Sequence, residues 1–394
     1  MNCRKDFPIF ENNLVYLDSA CVSLKPFTVI NKIKEYYEQY PACGERSVHK
    51  LSRKVNEEVQ KARETLQKFI NAKNPEEIIF TRNTTESINL VSYSFPKKGD
   101  KIVLSDREHN SNLIPWLSKQ HLTTSTTPSN KDHTFNLEDF KQNVRGAKLV
   151  SIAWISNLDS YELPIREIIK ISHEAGVKVL LDAAQAAPHH PINVQKLDAD
   201  ILALSGHKMC GPSGTGVLYA KEEILKEMKP FLLGGDTVHD STHTTYQLAE
   251  PPSKFEAGLQ DYAGIIGLGE AARYLKKQGM ESIKEHCTTL RHRAARSIKK
   301  LPEAENIGVT DERKLSTILN FNLKGVNSHD LAYYLDEANN ILIRSGAHCL
   351  HSWYNKHNIN GSARASFYIY NTKKEADALA EAITRAAHLL KPKA

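Results

Sequence analysis

Leu181-Asp182-Ala183-Ala184-Gln185, followed by Leu204-Ser205-Gly206-His207-Lys208, decides how this chain folds. The first stretch closes the run Val177-Lys178-Val179-Leu180-Leu181, and the second closes Ala199-Asp200-Ile201-Leu202-Ala203-Leu204. Short runs of β-branched and apolar residues read as strands buried on both faces, the habit of parallel sheets covered by helices. In such open α/β sheets, functional groups gather beyond the carboxyl ends of the strands. One rim therefore receives an acid, Asp182, a small polar turn, Ser205-Gly206-His207, and an amine, Lys208. Taken singly, a strand-end Asp or such a turn is commonplace. Ordered and flanked in this way, they define a site.

Outward from this pair the chain alternates helical and strand periodicities. Helical patterning occupies residues 29–37 and 55–70, and strand patterning residues 77–80, 101–104 and 148–153. The alternation predicts a mostly parallel sheet covered by helices. An amphipathic helix begins near residues 264–274; beyond it come a long charged helix, then strands at 317–321 and 341–343 separated by helices. That change of order predicts a smaller α/β unit from about residue 270. Residues 235–254, rich in Thr, His and Pro, read as a loop or hairpin, expected near the site.

Composition bounds the function without choosing it. The chain has 394 residues, 40% hydrophobic and 25% charged, enough for one large unit and a smaller one, each with a core. No apolar stretch of about eighteen residues occurs, and Met1-Asn2-Cys3-Arg4-Lys5-Asp6 has no apolar signal core. The expectation is a soluble, cytoplasmic protein without a membrane partner. Six cysteines, at 3, 21, 43, 210, 287 and 349, show no CxxC pairing and are expected as reduced thiols; no metal site is expected. The formal charge of +6 is spread over short pairs such as Lys97-Lys98, which argues against a nucleic-acid partner.

An acid, an anion-holding turn and an amine in this order suit pyridoxal 5'-phosphate. That cofactor needs a carboxylate beside its pyridine nitrogen and a lysine to form a Schiff base with its aldehyde. Asp182 and Lys208 are the candidates. Here the chain resembles the class V aminotransferase family of fold type I, and within it the SufS-like cysteine desulfurases. The resemblance runs from Tyr16-Leu17-Asp18-Ser19-Ala20 almost to the end. It includes Phe80-Thr81-Arg82-Asn83-Thr84-Thr85-Glu86, Glu108-His109-Asn110-Ser111-Asn112, Phe255-Glu256-Ala257-Gly258 and Arg364-Ala365-Ser366-Phe367-Tyr368-Ile369-Tyr370-Asn371-Thr372. It implies an α/β fold with a mostly parallel, seven-stranded-type sheet in a large cofactor-binding domain, 21–270. A small domain, 271–394 joined by 1–20, is expected to carry the catalytic cysteine loop.

The resemblance also assigns roles. Thr84 and Thr85 open a helix after a strand, where free backbone N–H groups favour an anion, and they match phosphate-gripping positions beside Ser205 and His207. His109 matches a histidine that stacks on the cofactor ring and assists proton transfer. Gln185 and Asn157 match residues that contact the phenolic oxygen and orient substrate. Cys349, in Ile343-Arg344-Ser345-Gly346-Ala347-His348-Cys349, resembles the family's Arg-Thr-Gly-His-His-Cys loop, and its cationic neighbours are expected to favour a thiolate. Arg364, 15 positions further on as in the shorter-looped branch, is expected to fork onto the substrate carboxylate together with Asn157.

The implied activity converts L-cysteine to L-alanine with a persulfide on Cys349, and a thiol-bearing acceptor protein then takes the sulfur for iron–sulfur cluster assembly. A homodimer is implied, since fold type I sites lie at subunit interfaces. Selenocysteine lyase activity, an aminotransferase or epimerase with Cys349 idle, and a catalytically silent sulfur carrier stay open. The chain departs from the family pattern at several places. Leu259-Gln260 stands where a Thr usually reaches a neighbouring subunit's phosphate, Ala347 replaces the loop's first histidine, and Cys43-Gly44-Glu45-Arg46-Ser47 alters an entrance segment. Cys21 and Cys210 occupy places where thiols are unusual. Inert packing, or a sulfur relay or redox lock with Cys349, are the readings for them.

Overall fold

The computed structural model describes residues 1–12, 14–44 and 47–390. Glu45 and Arg46, part of the altered entrance segment, lie outside the described residues. Seven strands form the main sheet in the spatial order Ile78–Thr81, Gly216–Ala220, Ile201–Ser205, Lys178–Asp182, Leu149–Ala153, Lys101–Ser105, Thr123–Thr127. Only Gly216–Ala220 runs against its neighbours, so the sheet is mostly parallel, as expected. The two apolar runs that opened the reading are adjacent strands: Leu181 pairs with Leu202, and Asp182 with Ala203.

Side chains alternate between the faces of a strand, and both faces here are covered. Val179, Leu181, Leu202, Leu204 and Val217 enter one apolar core, whereas Leu180, Ile201, Ala203 and Leu218 enter another. Continuous hydrophobicity in these strands follows directly, because no face meets water. Helix Tyr262–Gln278 packs against both Phe27–Gln39 and Lys50–Ile70 beside the first core.

Residues 304–366 supply a four-stranded antiparallel sheet, ordered Ala304–Asn306, Ile318–Leu323, Ser362–Ser366, Arg344–Gly346. Helices Met280–Ile298, Ser328–Asn339 and Lys373–Leu389 cover it through a core that includes Leu290, Phe321, Leu335, Ala365 and Ile383. Thr372 caps the last helix reciprocally: its hydroxyl accepts from Glu375 N at 3.2 Å while Glu375 accepts from Thr372 N at 2.7 Å.

Residues 15–24 strap the two sheets together. Val15–Tyr16 pairs in parallel with Ile341–Leu342, and Leu17 accepts from Ser366 N at 2.7 Å. Further on, Ser23 N donates to His207 O at 2.8 Å, and Cys210 N donates to Ser23 Oγ at 2.7 Å. The strap thus ends against the turn that carries Lys208. The hairpin Val238–Ser241 with Tyr246–Leu248 forms within the segment read as loop or hairpin.

Candidate active site

Sheet topology assembles the site. Ser205 pairs with Gly216, and Gly216 pairs with Thr81 on its other side. Because the intervening strand is reversed, its first residue lies at the carboxyl ends of both neighbours. A Cβ on Gly216 would stand 2.7 Å from Asn83 Cα and 2.7 Å from Leu204 O. Glycine therefore lets two rims close over it, and Ser205 Oγ comes to 2.9 Å from Thr84 N and 2.8 Å from Thr84 Oγ1. Helix Thr84–Ser94 begins here, capped by the Asn83 side chain, which accepts from Glu86 N at 3.0 Å. Thr84 and Thr85 are thus the first helical residues, and the cap is their neighbour. Glu256, from the Phe255-Glu256-Ala257-Gly258 motif, holds this edge strand: it accepts from Phe80 N at 2.7 Å and from the Arg63 fork at 2.9 and 2.8 Å.

One cavity of about 220 Å³ is lined by Thr84, Thr85, His109, Asn157, Asp182, Gln185, Ser205, His207, Lys208, Cys349 and Arg364. The sequence reading assembled this same set from 281 positions of chain. The hairpin at 238–248 is not among the residues that line this cavity, and its side chains are mostly exposed.

Asp182 is 6% exposed and accepts from Ala184 N at 2.9 Å. Burial raises its pKa, with the backbone bond and Lys208 opposing. Burial lowers the pKa of Lys208, and Asp182 opposes this in turn. For both groups desolvation outweighs their mutual attraction, so the acid lacks a full counter-charge and the amine leans toward its free form. His109 caps helix Asn110–Leu117, with Nδ1 accepting from Ser111 N at 3.0 Å. Burial, then the charges of Lys208 and Arg364, push its pKa down to about 3, so the ring is neutral and carries its proton on Nε2. Burial first and Lys208 second push His207 down to about 4.

An ion pair sealed from water fixes the two loops that bear His109 and Asn157. Arg107 and Asp159 meet at 3.0 Å, with side chains 0% and 1% exposed. Asp159 also accepts from Tyr161 N at 3.1 Å and Val309 N at 2.9 Å, which satisfies most of its lone pairs.

The amides do more scaffolding than the sequence reading assigned. Gln185 donates to Ala20 O at 2.8 Å, and Asn157 donates to His348 O at 2.9 Å while its backbone carbonyl accepts from Arg364 at 3.0 Å. Arg364 is 2% exposed, stands 3.5 Å from Asp18, and its Nε has no hydrogen-bond partner. Asp18 was missed as its companion, although the Tyr16-Leu17-Asp18 motif contains it. A buried, partly uncommitted guanidinium facing a cavity has the chemistry to receive a carboxylate.

Cys349 follows His348 in a tight loop, the two at φ 60° and 49°, with Cys349 O accepting from Asn110 N at 2.8 Å. The expected cationic neighbours line the same cavity as Cys349 but engage other groups. Arg344 donates to the sulfur of Cys21, and His348 is bound through Nε2 to Ser362 Oγ at 3.0 Å. Burial drives the His348 pKa down to about 2, so it offers no positive charge to Cys349. Cys210 is fully buried, its thiol pushed up to about 12, and it lies outside the lining, whereas Cys21 lines the cavity.

The donor set fits pyridoxal 5'-phosphate. A protonated ring nitrogen would supply the counter-charge that Asp182 lacks, and the open helix N-terminus with Ser205 and His207 forms an anion seat. The chain belongs to the class-V aminotransferase family, whose sequence model matches residues 15–379. Its relatives include probable cysteine desulfurases of Synechocystis, 40% identical and covering 95% of this chain and 92% of theirs, and of Halalkalibacterium halodurans, 40% identical over 97% and 96%. A cysteine desulfurase from Thermococcus onnurineus superposes with a TM-score of 0.94 at 37% identity, covering 99% of this chain and 97% of its own. Cysteine desulfurase CsdA from Escherichia coli gives 0.91 at 33% identity and 98% of each chain.

Proposed function

We propose that this protein is a pyridoxal 5'-phosphate-dependent cysteine desulfurase that converts L-cysteine to L-alanine and keeps the sulfur as a persulfide on Cys349. The observation that carries this is a single cavity lined by Lys208, Asp182, Arg364 and Cys349 together. An aminotransferase needs the first three; the thiol is what a desulfurase adds. The names of its relatives point the same way.

When bound, the cofactor supplies an electron sink that weakens bonds at the substrate Cα and, through them, the Cβ–S bond. Asp182 would keep the ring nitrogen protonated, Thr84, Thr85, Ser205 and His207 would hold the phosphate, and His109 and Gln185 would contact the ring. Arg364 receives the substrate carboxylate, positioned by Asn157, whose carbonyl it already holds. Lys208, with its lowered affinity for protons, takes and returns the proton at Cα. Cys349 Sγ attacks the substrate sulfur: the S–S bond forms, the Cβ–S bond breaks, and its electron pair leaves with the three-carbon fragment that becomes alanine.

The reading extends to a large domain, 21–270, a small one, 271–394 with 1–20, and a cytoplasmic homodimer feeding a thiol-bearing acceptor in iron–sulfur assembly. Exposed Phe231, Leu232 and Leu259, which line one pocket of about 550 Å³, support a subunit interface. Among the described residues no helix is long and apolar enough to cross a membrane. The test is incubation of the cofactor-loaded protein with L-cysteine and a reductant, measuring alanine and sulfide for wild type and Cys349→Ala. Both products collapse together in the variant; alanine release at the wild-type rate overturns the role of the thiol.

A further inference from the structure

Two thiols line the cavity, Cys21 and Cys349, and each is partly exposed. Cys3, Cys210 and Cys287 are buried elsewhere, and Cys43 lies outside the lining. The surroundings of Cys21 differ from those of an inert core cysteine. Arg344, on the strand that leads into the Cys349 loop, donates to its sulfur. That strand pairs Arg344 with Arg364, and the Cys21 thiol is close enough to Lys208 and Arg364 to act on both electrostatically. Independently, Arg364 is 2% exposed with Nε unpartnered, so an uncommitted cationic donor faces the space that both thiols share. An anion generated there has a receptor already in place.

The two thiols are mounted differently. Cys21 is fixed by the strap: its N–H donates to Asp18 O at 3.0 Å, Ala20 N donates to Ser366 Oγ at 2.9 Å, and Ala20 O is held by Gln185. Cys349 sits where successive residues adopt left-handed backbone, a conformation disfavoured for side chains of this kind. The arrangement is a fixed receiving thiol opposite a loop that bears the other one.

Resting on the reading above, we propose that Cys21 is a second sulfur-carrying thiol, which takes the terminal sulfur of the Cys349 persulfide within the cavity. Cys21 Sγ attacks that terminal sulfur. The new Cys21 S–S bond forms, the Cys349 Sγ–S bond breaks, and its electron pair stays on Cys349 Sγ, which takes up the proton lost by Cys21. No oxidant or reductant is consumed; the step is thiol exchange on sulfane sulfur. Cys349 is then free for a second substrate, so the chain stores sulfur on both residues before any acceptor arrives.

The test uses cofactor-loaded protein, a short pulse of L-cysteine without reductant or acceptor, and a rapid alkylating quench. Alanine released in the burst is measured, and the persulfide is located by peptide mass spectrometry. Wild type is expected to show alkylated persulfide on the Cys21 and Cys349 peptides, with a burst twice that of Cys21→Ala or Cys21→Ser. Sulfur confined to the Cys349 peptide, with equal bursts in all three proteins, overturns the relay and leaves the desulfurase reading intact. A Cys21–Cys349 disulfide with free hydrosulfide also overturns it, because Cys21 would then have attacked the inner sulfur. Sulfur on Cys21 in Cys349→Ala overturns both the relay and the role of Cys349 as first acceptor.

Discussion

At position 364 a guanidinium is buried without a complete set of acceptors, the group proposed to receive the substrate carboxylate. Charge-assisted hydrogen bonds to a carboxylate contribute about 1.5–3 kcal/mol. Arg364→Leu should therefore raise the KM for L-cysteine by roughly ten- to a hundredfold, while cofactor absorbance persists; steady-state alanine release checks this. Arg107 makes a different prediction. Removing it leaves Asp159 charged and sealed, and breaking a buried pair in this way costs about 3–5 kcal/mol. Arg107→Ala should show that loss in denaturant unfolding of the cofactor-free protein. Single residues were legible where chemistry constrains their order, as at Asp182, Lys208 and Cys349. Arg344 was not: its partner is 323 positions away, and nothing local in the chain distinguishes a guanidinium aimed at Cys21 from one aimed at Cys349.

Elements were legible to the degree that their environment is uniform. Lys178–Asp182 and Ile201–Ser205 have both faces covered, so their apolar runs stood out. Thr123–Thr127 lies at the sheet edge, partly wet and composed of Thr and Ser, and carries no apolar signature. Gly216–Ala220 is as buried as the central strands, yet its reversed direction is a property of the chain path and not of its composition. That reversal makes Gly216 a sensitive position. In Gly216→Ala the new methyl would meet backbone atoms of Asn83 and Leu204, and relieving such overpacking costs about 1–3 kcal/mol. Because the displaced backbone leads into Thr84, the variant should bind pyridoxal 5'-phosphate more weakly, by roughly the same free energy or about tenfold. Titration of the cofactor absorbance measures it.

Across the described residues, seven imidazoles share one electrostatic condition, a pKa lowered with burial as the first cause: His133, His286 and five that are shifted furthest. His109, His189, His190, His207 and His348 have pKa values lowered to about 3, 3, 4, 4 and 2, with burial the first cause in each. The unfolded chain takes up these protons near pH 6.5, whereas the folded protein resists until far lower pH, so stability is full above 6.5 and falls as pH drops toward 4. Glu108, raised to about 7 by burial, acts with the opposite sign: its contribution is full below the unfolded carboxylate range and fades as pH rises through 7. Asp18 and Asp182 are raised likewise. Seven imidazoles against three carboxylates leave a net loss on acidification, up to about 1.4 kcal/mol per pH unit for each linked proton. Thermal unfolding of the cofactor-free protein should show a midpoint that drops steadily from pH 6.5 to 5.

The ten residues from Val15 to Leu24 link the sheet that leads into the Cys349 loop to the lysine turn through backbone bonds at both ends. Excision of this segment by two cuts would remove one tie and leave the others, among them Asn157 to His348 and Asp159 to Val309. Catalysis would then fade while circular dichroism scarcely changed, and adding the missing decapeptide back as a free ligand would be the way to restore the closed geometry.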